Sequence, residues 1–164
     1  MWLTGLPSAG KSTIARALEK RLIDEGVPVE VLDGDVVRTH LTKDLGFSRE
    51  DRDENVRRVG FVADLLSRNG VTVLCPVIAP FRSTRDEVRS LHGDRFIEVY
   101  VSTPVDECSE RDVKGLYAKQ KAGELSGLTG VDDPYEPPIN PEVVVPTHTQ
   151  TLEESVELVW RALS

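Results

Sequence analysis

Gly5-Leu6-Pro7-Ser8-Ala9-Gly10-Lys11-Ser12-Thr13 satisfies every fixed position of the phosphate-binding pattern G-x-x-x-x-G-K-[ST]. Each fixed position has a physical reason. Gly5 and Gly10 let the backbone turn back and come close to a polyphosphate. Successive N–H groups form a concave anion nest, and the helix that follows aims its positive end into it. Lys11 reaches the β- and γ-phosphates, and the Ser12 hydroxyl can hold Mg²⁺. The flanks supply the context. Met1-Trp2-Leu3-Thr4 reads as a short buried strand, and Ile14, Ala17, Leu18 and Leu22 recur at helical spacing. The whole loop, with Leu6, Pro7, Ser8 and Ala9 as its body, is therefore expected to bind the phosphates of a nucleotide.

Outward from this loop the pattern alternates. The first helix runs to about Glu25, with Gly26 as its stop. Val27 to Leu32 reads as a second strand that delivers Asp33-Gly34-Asp35 at its carboxyl end, where ligands bind in open α/β sheets. A helical stretch from about Val36 carries Arg38, and Gly46-Phe47 breaks it. Ser48 and Asp51 read as a capping box. The helix beyond places Val56, Val59, Val62, Ala63 and Leu66 on one face and ends at Asn69-Gly70. Val71 to Cys75 is a third strand, Pro76 to Pro80 a loop, Ser83 to Ser90 a helix, and Phe96 to Val101 a fourth strand. Pro104 starts another helix. From Lys114 to Pro138 the periodicity fails, and so long a loop in a compact domain is usually functional or mobile. Glu142 to Val145 is a fifth strand. The last helix spans about Thr151 to Leu163, with Leu152, Val156, Val159, Trp160 and Leu163 facing in. This alternation predicts a single α/β domain over 1–164. Its class is a nucleotide-kinase-like P-loop NTPase: about five mostly parallel strands flanked by helices, with a lid over about 114–138.

Composition narrows the function. The formal net charge of −8 argues against non-specific nucleic-acid binding, and it requires a local cationic cluster to hold any polyanion. No run reaches transmembrane length, so no membrane partner is expected. Cys75 and Cys108, the only cysteines, have neither metal-ligand spacing nor the numbers of a disulfide framework, which suits a reducing cytoplasm. The sequence opens directly on the first apolar run, so no signal peptide is expected.

Phosphoryl transfer needs cradled phosphates, a bridging metal, an aligned acceptor and neutralised charge. Beyond Lys11, the candidates are Asp33 and Asp35. One of these carboxylates holds Mg²⁺ through water, takes the acceptor's proton, or does both; alternatively the pair only makes a turn and caps the next helix. Arg38, Arg52, Asn55, Arg57 and Arg58 cluster in the following segment, and arginine suits bidentate phosphate or sulfate contacts. Arg57 and Arg58 read by default as solvated charges. Phe47 either stacks on a purine ring or plugs the core. Lys114, Lys119 and Lys121 form either a cationic lid or an ordinary exposed loop. His40, His92 and His148 show no metal spacing, and Ser12 and Ser83 have no His/Asp partners at motif spacing, so hydrolase chemistry has no support.

Taken together, these motifs resemble the adenylyl-sulfate kinase (APS kinase) family over nearly the whole chain. The residues that carry the likeness are Gly5 to Thr13, Leu32 to Asp35 with Arg38, and Gly46 to Ser48 with Arg52 and Asn55. Pro76 to Arg82, Asp112 to Tyr117 and Leu128 to Glu136 complete them. The resemblance implies ATP-dependent phosphorylation of the 3′-hydroxyl of adenylyl sulfate in sulfate activation and assimilation, with Mg²⁺ as cofactor. It implies Lys11, Asp33 and Asp35 as catalytic residues and Ser12 and Asp33 at the metal. Asp33, Arg38, Phe47, Arg52, Asn55, Ile78, Ala79, Lys114 and Leu128 would lie against the acceptor, with Phe47 on its adenine and Lys114 near the phosphates. A homodimer and a functional partner in ATP sulfurylase are further implications.

The chain departs from the common pattern of that family at three points. Ala79 stands where many members have a serine proposed to carry a phosphoryl group, so direct in-line transfer is expected here. Leu128 replaces a phenylalanine and offers apolar contact without a ring quadrupole. A leader ahead of the first strand, frequent in the family, is not seen in this sequence. Two other readings compete. One is a kinase of the same scaffold acting on another nucleotide or a sugar acid, which a panel of acceptors would separate. The other is a nucleotide-binding regulator, which loss of Lys11 or of both aspartates would have favoured.

Overall fold

Trp2–Thr4 forms strand β1 with all three side chains buried, as a strand covered on both faces requires. In the computed structural model, which describes residues 1–163, four strands join it. They are β2 (Val29–Val31), β3 (Thr72–Pro76), β4 (Glu98–Val101) and β5 (Val143–Val145). All pairings are parallel and the order is β2-β3-β1-β4-β5. Central β1 sets Leu3 opposite Pro76 on one side and Val99 on the other. The chain leaves β1 for β2 at one margin, returns through β3, then crosses to β4 on the far side. Such a reversal opens a crevice at the carboxyl ends of the strands. Gly5 to Thr13 follows β1 directly into that crevice.

The α-helices among the described residues are α1 (Lys11–Asp24), α2 (Gly34–His40), α3 (Arg49–Ser67), α4 (Arg82–His92), α5 (Val105–Arg111), α6 (Leu116–Lys121) and α7 (Leu152–Leu163). Side chains alternate along each strand, so the sheet divides the core in two. Leu3, Leu74, Val99, Val101 and Val145 pack with Ile14 and Leu18 of α1 and Val159 of α7. Trp2, Val73 and Cys75 pack on the other face with Val56 and Val59 of α3 and Val88 of α4. Among the described residues, no helix is long and apolar enough to cross a membrane.

Helices α3 and α4 approach closely at Gly60, where a Cβ would stand 2.7 Å from Val88 Cγ2. Gly60→Ala is therefore expected to cost about 1–3 kcal/mol by overpacking, read as a lower midpoint in urea unfolding. Combined with Val88→Ala, the loss should be smaller than the sum of the two single losses.

Several local expectations need correction. The segment after Lys114 is not patternless, because it contains α6. Leu152 is exposed rather than facing in, since Ser155, Val156 and Val159 form the buried face of α7. Val62 and Leu66 are half-buried, and Gly60 and Asp64 take their places on the buried face of α3. Asp64 can be buried because Arg95 pairs with it at 2.7 Å. The capping box closes on one side only. Asp51 N donates to Ser48 Oγ (3.1 Å), but the Asp51 carboxylate accepts from Gly46 N (3.0 Å).

Candidate phosphoryl-transfer site

The Gly5 to Thr13 loop owes its shape to what holds its carbonyls. Lys11 Nζ donates to Gly5 O (2.9 Å) and Leu6 O (2.6 Å). Tyr117 Oη donates to Pro7 O (2.9 Å). The Thr103 hydroxyl, the Thr147 hydroxyl and Arg111 Nη1 converge on Ala9 O at 2.8, 3.0 and 3.3 Å. With these carbonyls held, the amides are left to face the crevice. Among the described residues, the N–H groups of Ser8, Gly10, Lys11, Ser12 and Thr13 have no backbone acceptor. They form an anion nest at the start of α1. Gly5 is required twice over. Its φ is +156°, and a Cβ there would meet Val101 O at 2.6 Å.

Lys11 is 8% exposed. Burial, the dominant cause, lowers its pKa to about 8. The Lys114 charge pushes the same way, while Cys108, Asp33 and Asp35 oppose it. Lys11, Lys114, Asp33 and Asp35 thus share one electrostatic neighbourhood. Two of the three Lys11 N–H donors hold the loop, which leaves one for an incoming phosphate.

Asp33 is the N-cap of α2, and its Oδ1 accepts from Asp35 N at 3.1 Å. The capping role weighed for this residue is therefore real. It uses one carboxylate oxygen; Oδ2 has no protein donor among the described residues. Asp35 Oδ2 accepts from Lys114, so the lid lysine reaches across to the start of α2. Among the described residues no three His, Cys, Asp or Glu side chains gather as a metal cage. A Mg²⁺ ion does not need one. It keeps several waters and takes one or two protein oxygens beside substrate phosphates. The Ser12 hydroxyl and Asp33 Oδ2 are hard oxygen donors of that kind, so the residues present fit the ion.

Arg38 and Arg52 flank the Phe47 ring. Phe47 is 70% exposed, which removes the core-plugging alternative. The Arg38 guanidinium lies 4.7 Å from its ring centroid and that of Arg52 5.7 Å. Arg38 Nη1 donates to Gly46 O (2.7 Å), and among the described residues its Nη2 and Nε have no acceptor. Arg52 is more heavily used. Nε donates to Phe47 O (2.8 Å), Nη1 to Thr129 Oγ1 (2.9 Å), and Nη2 to Gly127 O and Asp133 Oδ2 (both 2.8 Å). It therefore ties α3 to the Thr129 to Asp133 part of the lid. Asn55 Oδ1 accepts from Thr42 Oγ1 (2.7 Å). Arg57 pairs with Glu87 and Arg58 with Asp44 and Glu54 on the helix surface, as solvated charges do.

Ile78 and Ala79 lie in the loop after β3. Ala79 has a left-handed φ of +44°. Leu128 is 5% exposed and packs in the larger core half, so it has little surface left for a ring to lie on.

Sequence reasoning missed several residues that shape this site. Asp112 accepts from Tyr117 N and Ala118 N and so starts α6, while the Tyr117 hydroxyl seats that helix on Pro7. Arg111 and Thr147 brace the phosphate loop from positions far apart in the chain. The Lys-Gly-Leu-Tyr run was the available signal for Tyr117; nothing local marks Thr147. At Gly130, φ +88°, a Cβ would stand 2.4 Å from Leu6 Cδ2, so the lid lies directly on the loop.

A sequence model described as adenylylsulphate kinase matches residues 1–146. The adenylyl-sulfate kinase of Rippkaea orientalis is 60% identical over 163 residues, covering 99% of this chain and 90% of that protein. The adenylyl-sulfate kinase of Microcystis aeruginosa is 60% identical over 164 residues, covering 100% of this chain and 90% of that protein. Among solved structures, the Mycobacterium tuberculosis APS kinase in complex with AMPPNP and APS superposes with a TM-score of 0.95. It is 43% identical, and the match covers 99% of this chain and 95% of that one.

Proposed function

The chain belongs to the adenylylsulphate kinase family, and on that premise we propose that it transfers the γ-phosphoryl group of ATP to the 3′-hydroxyl of adenylyl sulfate. The products are 3′-phosphoadenylyl sulfate and ADP. The observation that carries the acceptor side is Phe47, an exposed ring flanked by two guanidinium groups, one of which, Arg52, is tied to the lid segment that lies on the phosphate loop. An aromatic face suits a purine, and the arginines suit the phosphate and sulfate of the same molecule.

The acceptor oxygen attacks the γ-phosphorus, and the bond to the β,γ-bridging oxygen breaks. The hydroxyl proton passes to the Asp33 carboxylate. Lys11 follows the migrating charge, and the loop amides hold the β-phosphate. When bound, Mg²⁺ would be held by the Ser12 hydroxyl and the Asp33 carboxylate and would neutralise negative charge on the phosphates. Ala79 has no nucleophile, so the phosphoryl group goes directly to the acceptor.

Coupled ADP release with ATP, Mg²⁺ and adenylyl sulfate tests the reading; turnover with another acceptor and none with adenylyl sulfate would overturn it. Direct transfer predicts that incubation with Mg·ATP alone leaves the intact mass unchanged, and a stable phosphoryl adduct would refute it.

Arg52→Ala should weaken adenylyl sulfate about tenfold or more, in the range for lost charge-assisted hydrogen bonds, with a smaller change for ATP. It should also raise hydrogen exchange at residues 127–133, because the same side chain holds that segment. Titration calorimetry with each nucleotide separates the two effects.

A further inference from the structure

Arg85 lies on the buried face of α4 beside Val88 and is 2% exposed. A buried guanidinium is tolerated only when its donors are met, and these are met from three directions. Nε donates to Glu98 Oε1 on β4 (2.9 Å), Nη1 to Ala79 O (2.6 Å) and Nη2 to Glu136 O (2.6 Å). Glu98 supplies the counter-charge and is shared with Arg89 Nη2 at 3.2 Å.

The two carbonyls belong to different parts of the site. Ala79 is in the loop after β3, and Glu136 is at the trailing end of the lid. Their neighbours are joined as well. Thr4 Oγ1 donates its single proton to Ile78 O (2.6 Å), so the Tyr135 hydroxyl, 2.9 Å away, donates to Thr4. Glu136 N donates to Pro80 O (2.8 Å), and the Glu136 carboxylate accepts from Arg82 N (3.0 Å). Three consecutive carbonyls, Ile78, Ala79 and Pro80, are thus held by Thr4 (itself bonded by Tyr135), Arg85 and Glu136. The middle one sits at φ +44°, which a residue with a Cβ keeps only where its surroundings enforce it.

We infer that Arg85 is a positioning residue that locks the acceptor-flanking loop and the trailing end of the lid into one unit. The inference rests on the function proposed above, which sets Ile78 and Ala79 against the acceptor. A planar fork is required because one group must reach Glu98 and two carbonyls at once; an ammonium is a single point of charge.

Arg85→Lys keeps the charge facing Glu98 and loses the fork. The KM for adenylyl sulfate should rise about tenfold or more, as expected for a small misplacement of a binding loop. The KM for ATP should change less than about twofold, because the phosphate loop is braced by other residues. Without ligands, hydrogen exchange at 78–81 and at 134–137 should rise together. Tyr135→Phe, a milder change that leaves Arg85 in place, should move the same quantities in the same direction by less. A lowered melting temperature with unchanged KM for adenylyl sulfate would overturn the inference. So would equal rises in both KM values, or faster exchange in only one segment. If the wild-type protein does not phosphorylate adenylyl sulfate, the proposed function fails, and joint or separate exchange of the two segments still decides the role of Arg85.

Discussion

Lys11→Ala is expected to lower turnover by at least about a thousandfold, the upper range for removing one preorganised transition-state donor. The argument is geometric. Lys11 is the one ammonium seated inside the phosphate loop, with one N–H left after Gly5 O and Leu6 O are met. In the proposed mechanism its charge follows the phosphoryl group, while Lys114 is paired with Asp35 and Arg111 is turned to Ala9 O and Thr147. The same change leaves two carbonyls without their donor, so some stability is lost as well. Single-turnover rates measured well below the melting temperature of the variant separate chemistry from folding. Near-wild-type turnover would remove the loop from the mechanism.

Asp33→Asn is expected to keep the fold and lower turnover by at least about a hundredfold. The fold survives because an asparagine side-chain oxygen can still accept from Asp35 N and cap α2. What disappears is the negative charge on the oxygen that caps nothing, and with it the proton acceptor and the second oxygen ligand of the proposed mechanism. The cap and the chemistry use different oxygens of one carboxylate, so this single substitution tells them apart. A full rate at saturating Mg²⁺, with an unchanged melting curve, would leave Asp33 as a cap alone.

Much of this site was legible in the sequence for identifiable reasons. Gly5, Gly10 and Lys11 obey steric and electrostatic demands that are local, so their spacing suffices. Asp33 and Asp35 follow from lying at the end of an apolar run. Helix α6 was not legible, because Leu116–Lys121 is too short to show a period and is held by Asp112 and Pro7 rather than by an apolar stripe. Arg85 reads as one more solvated charge on a polar helix, since its partners Ala79, Glu98 and Glu136 are brought to it only by the fold. Arg52 was legible as a cation, but not as a tie to Gly127, Thr129 and Asp133, whose distance along the chain hides the contact.

The bracing of the phosphate loop has a consequence for what else can enter it. Its carbonyls at Gly5, Leu6, Pro7 and Ala9 are held by donors of the protein itself. The cradle is therefore preorganised, and an arriving anion has no loop to order before its own contacts count. Recognition of the phosphate chain is then separable from recognition of the nucleoside. Inorganic tripolyphosphate, which has no base or sugar, should occupy the loop and compete with ATP while leaving the Phe47 side of the crevice open to the acceptor.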